Sequence, residues 1–238
     1  GYAERYAQHR GHVREGARAE GDPEDEAEDE GGQHALARHA DLPLSGELLG
    51  GKALSYNNLL DIDAAQRAVA SFEAPTVVIV KHQTPTGIAT NQTAAGAFGP
   101  APASDRVSAF GGVIAVNRVV DDAFVSELGD LFIEAIAAPD FTPTAQARLA
   151  KSRKNCRLVR MQPDEYARAW QMRTIRGGFL VQTLDQGDPP EMNWRVVTRW
   201  KPAPDEMDTL RFAWQCVQHI PSNAIVLARP GTTVGVGG

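Results

Sequence analysis

The sequence predicts an α/β fold, a layered sheet with flanking helices, and three observations carry that expectation. Short runs rich in Val and Ile recur, as in "TVVIV" (Thr76 to Val80), "VIAV" (Val113 to Val116) and "NAIVLA", and such residues suit a pleated, half-buried surface. Between them lie segments with apolar residues at helical spacing, such as "DIDAAQRAVASF". Glycine and proline punctuate the joins, in "HQTPTG" and "AFGG". Strands alternating with helices argue for α/β layers.

In chain order, residues 1 to 50 read as an irregular leader, with charge runs, scattered histidines and a Gly-rich exit at "LSGELLGG". Within it "EGDPEDEAEDE" (Glu20 to Glu30) carries eight acids and no base; removing those eight charges from the net −6 leaves +2. Such a block reads as a solvated, self-repelling loop. From Gly51 the pattern changes. Asp61 or Asp63 caps a helix, a strand follows Pro75 and ends at Lys81-His82, and Pro85 and Gly87 supply a turn. After a small-residue segment, Gly111-Gly112 precede the strand at Val113 to Val116, and "DDAFVSELGDLFIEAIA" reads as one helix from near Asp121. "TPTAQARLAKSRKN" has Pro143 and Thr144 as helix-start signals and a basic end. Strands follow at "CRLVRM" and "RGGFLVQTLD". The Pro-rich link "WKPAPDE" introduces the helix "MDTLRFAWQCVQHI", and "NAIVLA" and "TTVGVGG" are two strands joined by "RPG".

Composition excludes several classes. The chain has 238 residues, 42% hydrophobic and 23% charged, ordinary for a soluble globular protein. No run approaches the roughly 18 to 20 apolar residues of a membrane span, and "GYAERYAQHRGHVREG" lacks an apolar signal core; the expectation is a cytoplasmic protein with no membrane partner. Cys156 and Cys216 have no partner motif, so neither a disulfide framework nor a thiolate metal site is expected. Basic and aromatic residues are not clustered as nucleic-acid binding requires. "VGVGG" has no helix behind it and is no dinucleotide fingerprint.

The first candidate site is Lys81-His82, where a buried strand ends in a cation and a titratable imidazole. In an open α/β sheet, ligands collect beyond the carboxyl ends of strands. There a histidine exchanges protons near neutral pH and a lysine stabilises developing negative charge; the plain alternative is a polar pair before a turn. Asn223 either serves a ligand or satisfies its own backbone in a turn. In "SAFGG", Gly111 and Gly112 either admit a ligand close to the backbone or only provide the bend. His9, His12, His34 and His39 show no metal-ligand spacing, and His219 reads as a cation at a helix C-terminus.

As an ordered set, "GKALSYNNLLDIDAA", "VIVKHQTPTGIA", "SAFGGVIAVNR", "APDFTPTA", "RGGFLVQ" and "SNAIVLA" with "TVGVGG" resemble a known family. It is the transformylase domain of the bifunctional enzymes that join aminoimidazole carboxamide ribonucleotide formyltransferase to inosine monophosphate cyclohydrolase. The resemblance runs from Gly51 to Gly238 and implies a cytidine-deaminase-like layered fold, duplicated in the family. On that reading residues 51 to 200 are the first half, and residues 201 to 238 are a linker helix and the start of the following region. The implied activity is formyl transfer from 10-formyltetrahydrofolate, as co-substrate, to the 5-amino group of the ribonucleotide in purine biosynthesis. By resemblance His82 handles the proton of the attacking amine, Lys81 assists proton transfer and the tetrahedral intermediate, and Asn223 orients the carboxamide. Substrate contacts fall to Ser108, Phe110, Gly111 and Gly112. The implied partners are nucleotide and folate, with sites completed across a homodimer and no metal. Thr84 and Thr86 stand where the family's turn has Asn and Cys. Upstream, where the family has a nucleotide-binding motif, "GYAERYAQH" is a degraded echo to which no role is assigned.

The rival reading is a non-catalytic fragment or interaction module that keeps the fold and binds nucleotide. A zinc deaminase needs a His-x-Glu and a Pro-Cys-x-x-Cys pair, and the chain has neither.

Overall fold

The computed structural model describes residues 46–161, 170–185, 187–188 and 192–238. The acidic block, the four leader histidines and the "GYAERYAQH" echo lie outside them. From the first described residue the elements are β1 (Gly46–Gly50), α1 (Tyr56–Ala70), β2 (Thr76–Lys81), β3 (Thr84–Thr90), α2 (Ala94–Phe98), α3 (Arg106–Ala109), β4 (Gly112–Val116), α4 (Asp122–Glu127), β5 (Ile133–Ala138), α5 (Pro143–Ser152), β6 (Arg157–Met161), β7 (Trp170–Ile175), β8 (Gly178–Thr183), α6 (Pro204–Val217), β9 (Ile225–Arg229) and β10 (Thr232–Gly237).

The α/β expectation holds. Eight strands form one sheet in the order β1-β6-β5-β4-β2-β3-β10-β9, and β7 and β8 form a separate hairpin. Pairing is parallel across β4, β5 and β6 and antiparallel elsewhere in the sheet. Side chains alternate along each central strand. Val77, Ile79, Ile114 and Ile136 enter a core with Phe98, Phe124 and Leu149 from α2, α4 and α5. Val78, Val80, Val113 and Ala135 enter the opposite core with Ile62 and Val69 from α1 and Phe212 and Cys216 from α6. Strands buried on both faces have no polar side, which is why Val77 to Val80 are apolar without a break.

Four local readings are corrected. The cap of α1 is Ser55, whose hydroxyl accepts the Asn58 N–H at 3.2 Å while the Asn58 side chain accepts the Ser55 N–H at 3.1 Å. This reciprocal box starts the helix earlier and leaves Asp61 and Asp63 inside it. The reversal after β2 is His82-Gln83, and Pro85 and Gly87 lie within β3. Pro85 is tolerated because it faces the irregularity between Ile79 and Val80. "DDAFVSELGDLFIEAIA" divides in two: α4 is capped by Asp121, Gly129 (φ +53°) ends it, and "IEAIAA" becomes β5. Its Ala and Glu favour helix, but parallel partners on both sides override that preference. Finally, the last five leader residues, Gly46–Gly50, pair with β6 as β1. Gly51 (φ +95°) then passes so close to β6 that a Cβ would lie 2.1 Å from the Cys156 carbonyl oxygen.

The readings at "CRLVRM", "RGGFLVQTLD", "MDTLRFAWQCVQHI", "NAIVLA" and "TTVGVGG" match β6, β8, α6, β9 and β10, whereas α2, α3 and β7 form where the sequence carries no such signal. In α5, Pro143 stands at the first position and Lys151 in the last turn as expected, but the cap is Thr142, whose hydroxyl accepts the Ala145 N–H, and Thr144 lies inside the helix. Residues after 200 join the same sheet through β10 and β3. Among the described residues no helix is long and apolar enough to cross a membrane.

Candidate active site

Strand directions bring separated segments to one end of the sheet. β2 ends there with Lys81. Val80 faces Val113, so the Gly111-Gly112 start of β4 lies beside Lys81. β10 meets β3 at Thr232 and Ala89, at the far end of β3, and pairs its own last residues with the first of β9, Gly237 with Ile225. Ser222-Asn223, just before β9, therefore returns to the Lys81 end, roughly 14 Å along the sheet at three strand spacings. The site lies at the carboxyl end of β2 but at the amino ends of β4, β5 and β6. The rule that placed ligands at carboxyl ends describes parallel sheets, and β2 runs against its neighbours here.

Lys81 is the link between segments. Its Nζ donates to the Gly111 carbonyl at 2.6 Å; Gly111 takes the left-handed φ of +68° that L side chains rarely adopt, and a Cβ there would sit 2.9 Å from that Nζ and displace the ammonium. The Gly111 N–H donates to the Phe132 carbonyl at 2.8 Å. Next to this contact, Phe110 (61% exposed) and Phe132 (43% exposed) hold ring centroids 5.3 Å apart at 46°, an apolar surface of the kind planar ligands stack on.

His82 is exposed and occupies a left-handed backbone position (φ +54°), followed by Gln83 (φ +64°). Positive φ at both central residues is what a two-residue hairpin with the natural strand twist demands. The Gln83 N–H donates to Asp61 Oδ1 of α1 at 2.7 Å. Thr86 Oγ1 donates to the Ile79 carbonyl at 3.3 Å, inside the hairpin. Asn223 is exposed and accepts from the Ser222 hydroxyl at 3.0 Å. Ser108 is engaged in the cap of α3: its N–H and Oγ both donate to the Asp105 carboxylate, at 2.9 and 2.5 Å, bonds that hold the Asp105 carboxyl below its usual range.

The structure thus joins Lys81 to Gly111 directly and sets Gly112, His82, Phe110 and Asn223 at the same end. Residue reading missed Asp61 and Phe132. Both partners are remote in sequence, and Phe132 lay hidden in a segment read as helix. No group of three or more His, Cys, Asp or Glu side chains among the described residues is placed to hold a metal ion.

A cavity of about 620 Å³ runs from this end along one face of α1, lined by Gln83, Arg67, Ser71, Asp185, His219 and Pro221 among others. Its size is that of small-molecule sites. His219 corrects another expectation: burial, reinforced by the Arg67 charge and opposed by Asp185, pushes its pKa down to about 4. It is a neutral ring bonded to Ser71 Oγ at 2.7 Å, not a helix-end cation. A depressed value means that the unfolded chain binds the proton first, so stability present above the ordinary value of 6.5 is lost as pH falls toward 4. Between pH 7 and pH 5 the loss attributable to His219 is expected to be about 2 kcal/mol. Urea unfolding of the parent and His219→Gln at both pH values measures it; equal pH dependence would refute the assignment.

Comparison with known proteins places these features. The family model described as the AICARFT/IMPCHase bienzyme matches residues 30–238. Similar curated proteins include the "Bifunctional purine biosynthesis protein PurH" of Desulfitobacterium hafniense strain DSM 10664 / DCB-2, 46% identical over 194 residues, or 81% of this chain and 37% of that protein. The PurH proteins of Enterococcus faecalis (44%, covering 81% of this chain and 38% of that protein) and Chloroflexus aurantiacus (44%, covering 85% and 40%) are also similar. The chain spans about two fifths of the length of these relatives. With the matched region containing every strand of the sheet and both the Lys-His and Gly-Gly turns, the chain belongs to the AICARFT/IMPCHase bienzyme family.

Proposed function

We propose that this chain supplies the proton-handling edge of a formyltransferase site in purine biosynthesis, moving the formyl group of 10-formyltetrahydrofolate to the 5-amino group of aminoimidazole carboxamide ribonucleotide. The observation that carries the reading is the Lys81 Nζ to Gly111 carbonyl bond, which joins the two most distinctive family segments at the end where His82 is exposed. The relatives' printed names, bifunctional purine biosynthesis proteins, support the pathway.

The amine is a weak nucleophile because its lone pair is delocalised into the ring. His82 accepts its proton as the nitrogen attacks the formyl carbon, and the carbonyl oxygen becomes an oxyanion. An ammonium has three N–H donors; the one on Gly111 fixes Lys81, and the others are available to the oxyanion. Asn223 holds the carboxamide so that the amine faces the carbon. Collapse breaks the bond from the formyl carbon to N10 of the folate, and the proton taken up by His82 returns to that nitrogen, giving tetrahydrofolate. The Phe110 and Phe132 rings offer a stacking surface for a planar substrate. Nucleotide and folate are the proposed partners, in a cytoplasmic homodimer whose neighbouring subunit completes the site.

The test is tetrahydrofolate release by the full-length protein given both substrates. Lys81→Met is expected to lower kcat at least about tenfold while nucleotide binding persists. A protein that binds nucleotide but never releases tetrahydrofolate would instead be a binding module.

A further inference from the structure

The turn that presents His82 is unfavourable for its own sequence. Hairpin loops with positive φ at both positions suit Asn-Gly or Gly-Gly, whereas His82 and Gln83 stand there, each at a cost to an L side chain. Such a turn persists only when its surroundings hold it. On one side is the Lys81 contact with Gly111. On the other, Asp61 Oδ1 accepts the Gln83 N–H at 2.7 Å. Asp61 sits on a rigid support: α1 is fixed at its start by the Ser55 and Asn58 box, and the neighbouring Ile62 is fully buried. We infer that Asp61 is a positioning residue, holding the hairpin so that the His82 imidazole and the Lys81 ammonium converge on one reacting centre. The kinetic consequence rests on the formyl-transfer reading; the contact does not.

Asp61→Ala, Asp61→Asn and the double variant Asp61→Ala/Gln83→Gly test this in the full-length protein, by turnover and by amide hydrogen exchange at Gln83. Asp61→Ala is expected to lower kcat about tenfold or more, with the nucleotide KM changed less than about threefold. It should speed Gln83 exchange at least about tenfold. Asparagine keeps an acceptor oxygen in place, so Asp61→Asn should stay within about threefold of the parent. Glycine accepts positive φ readily, so the double variant should recover most of the lost kcat. The inference is overturned if Gln83 exchanges as fast in the parent as in Asp61→Ala. It also falls if Asp61→Ala keeps parental kcat in a protein that His82→Ala impairs, or if Asp61→Asn is as slow as Asp61→Ala and glycine rescues nothing. Parental turnover by His82→Ala would defeat the formyl-transfer reading instead, and Gln83 exchange alone would then decide whether Asp61 holds the turn.

Discussion

Replacing His82 by alanine is expected to lower formyl-transfer turnover of the full-length protein at least about a hundredfold, the loss typical of a missing acid-base group. The imidazole is exposed at the tip of a two-residue turn, so its removal opens no core and breaks no strand pairing. Folding and nucleotide affinity should therefore change little, and the deficit should appear in kcat. Alanine keeps the Cβ, so both side chains meet the left-handed backbone at φ +54°, and the thermal melt reads whatever difference in strain remains. Steady-state kinetics with both substrates, beside a thermal melt, make the measurement. Turnover within a few-fold of the parent would remove His82 from the chemistry.

The largest structural effect is expected at Gly87. In β3, a Cβ on this residue would lie 2.0 Å from the Ala101 carbonyl oxygen, in the short 3-10 turn at Ala101–Ala103. The obstacle is backbone on both sides, so no side-chain rotation relieves it. Either β3 or the turn has to move, and both border the core formed by Ala89, Ala97 and Phe98. Gly87→Ala should cost at least about 3 kcal/mol and lower the melting temperature by roughly 10 °C. The strand follows directly from the His82 turn, so activity at moderate temperature should fall as well. A variant that melts with the parent would show that β3 does not approach the 3-10 turn as described.

What the sequence disclosed, and what it hid, follows from how far each signal reaches. β2 was legible because a strand buried on both faces is apolar at every position. α5 was legible because Pro143 and Thr144 mark its first turn, although the cap itself is the preceding Thr142. β5 was hidden because "IEAIAA" is helix-favouring by composition, and only its neighbours β4 and β6, themselves distant in sequence, make it a strand. The site divides in the same way. Lys81 and His82 stood out as polar residues abruptly ending an apolar run. That the Lys81 ammonium reaches Gly111 depends on β2 and β4 pairing, a contact across 30 residues. Asp61 looked like a cap because Asp before an apolar periodic stretch usually is one; the better cap, Ser55, took that role, and the carboxylate became available to Gln83. His219 appeared cationic because burial, which neutralises it, is not written in its neighbours.

The connection from β2 to β3 has consequences for how this segment can vary over time. Only His82 and Gln83 separate the strands, and Val78 and Ile88 point into one core while Ile79 and Ala89 point into the other. Inserting or deleting one residue at the turn would shift β3 by one position and exchange its two faces, sending Ile88 toward the space that Ala89 fills. Both cores would then be mispacked together. Length here is consequently far less free than residue identity: side chains around the turn can be exchanged, whereas insertions and deletions should be confined to loops whose flanking strands do not face two cores.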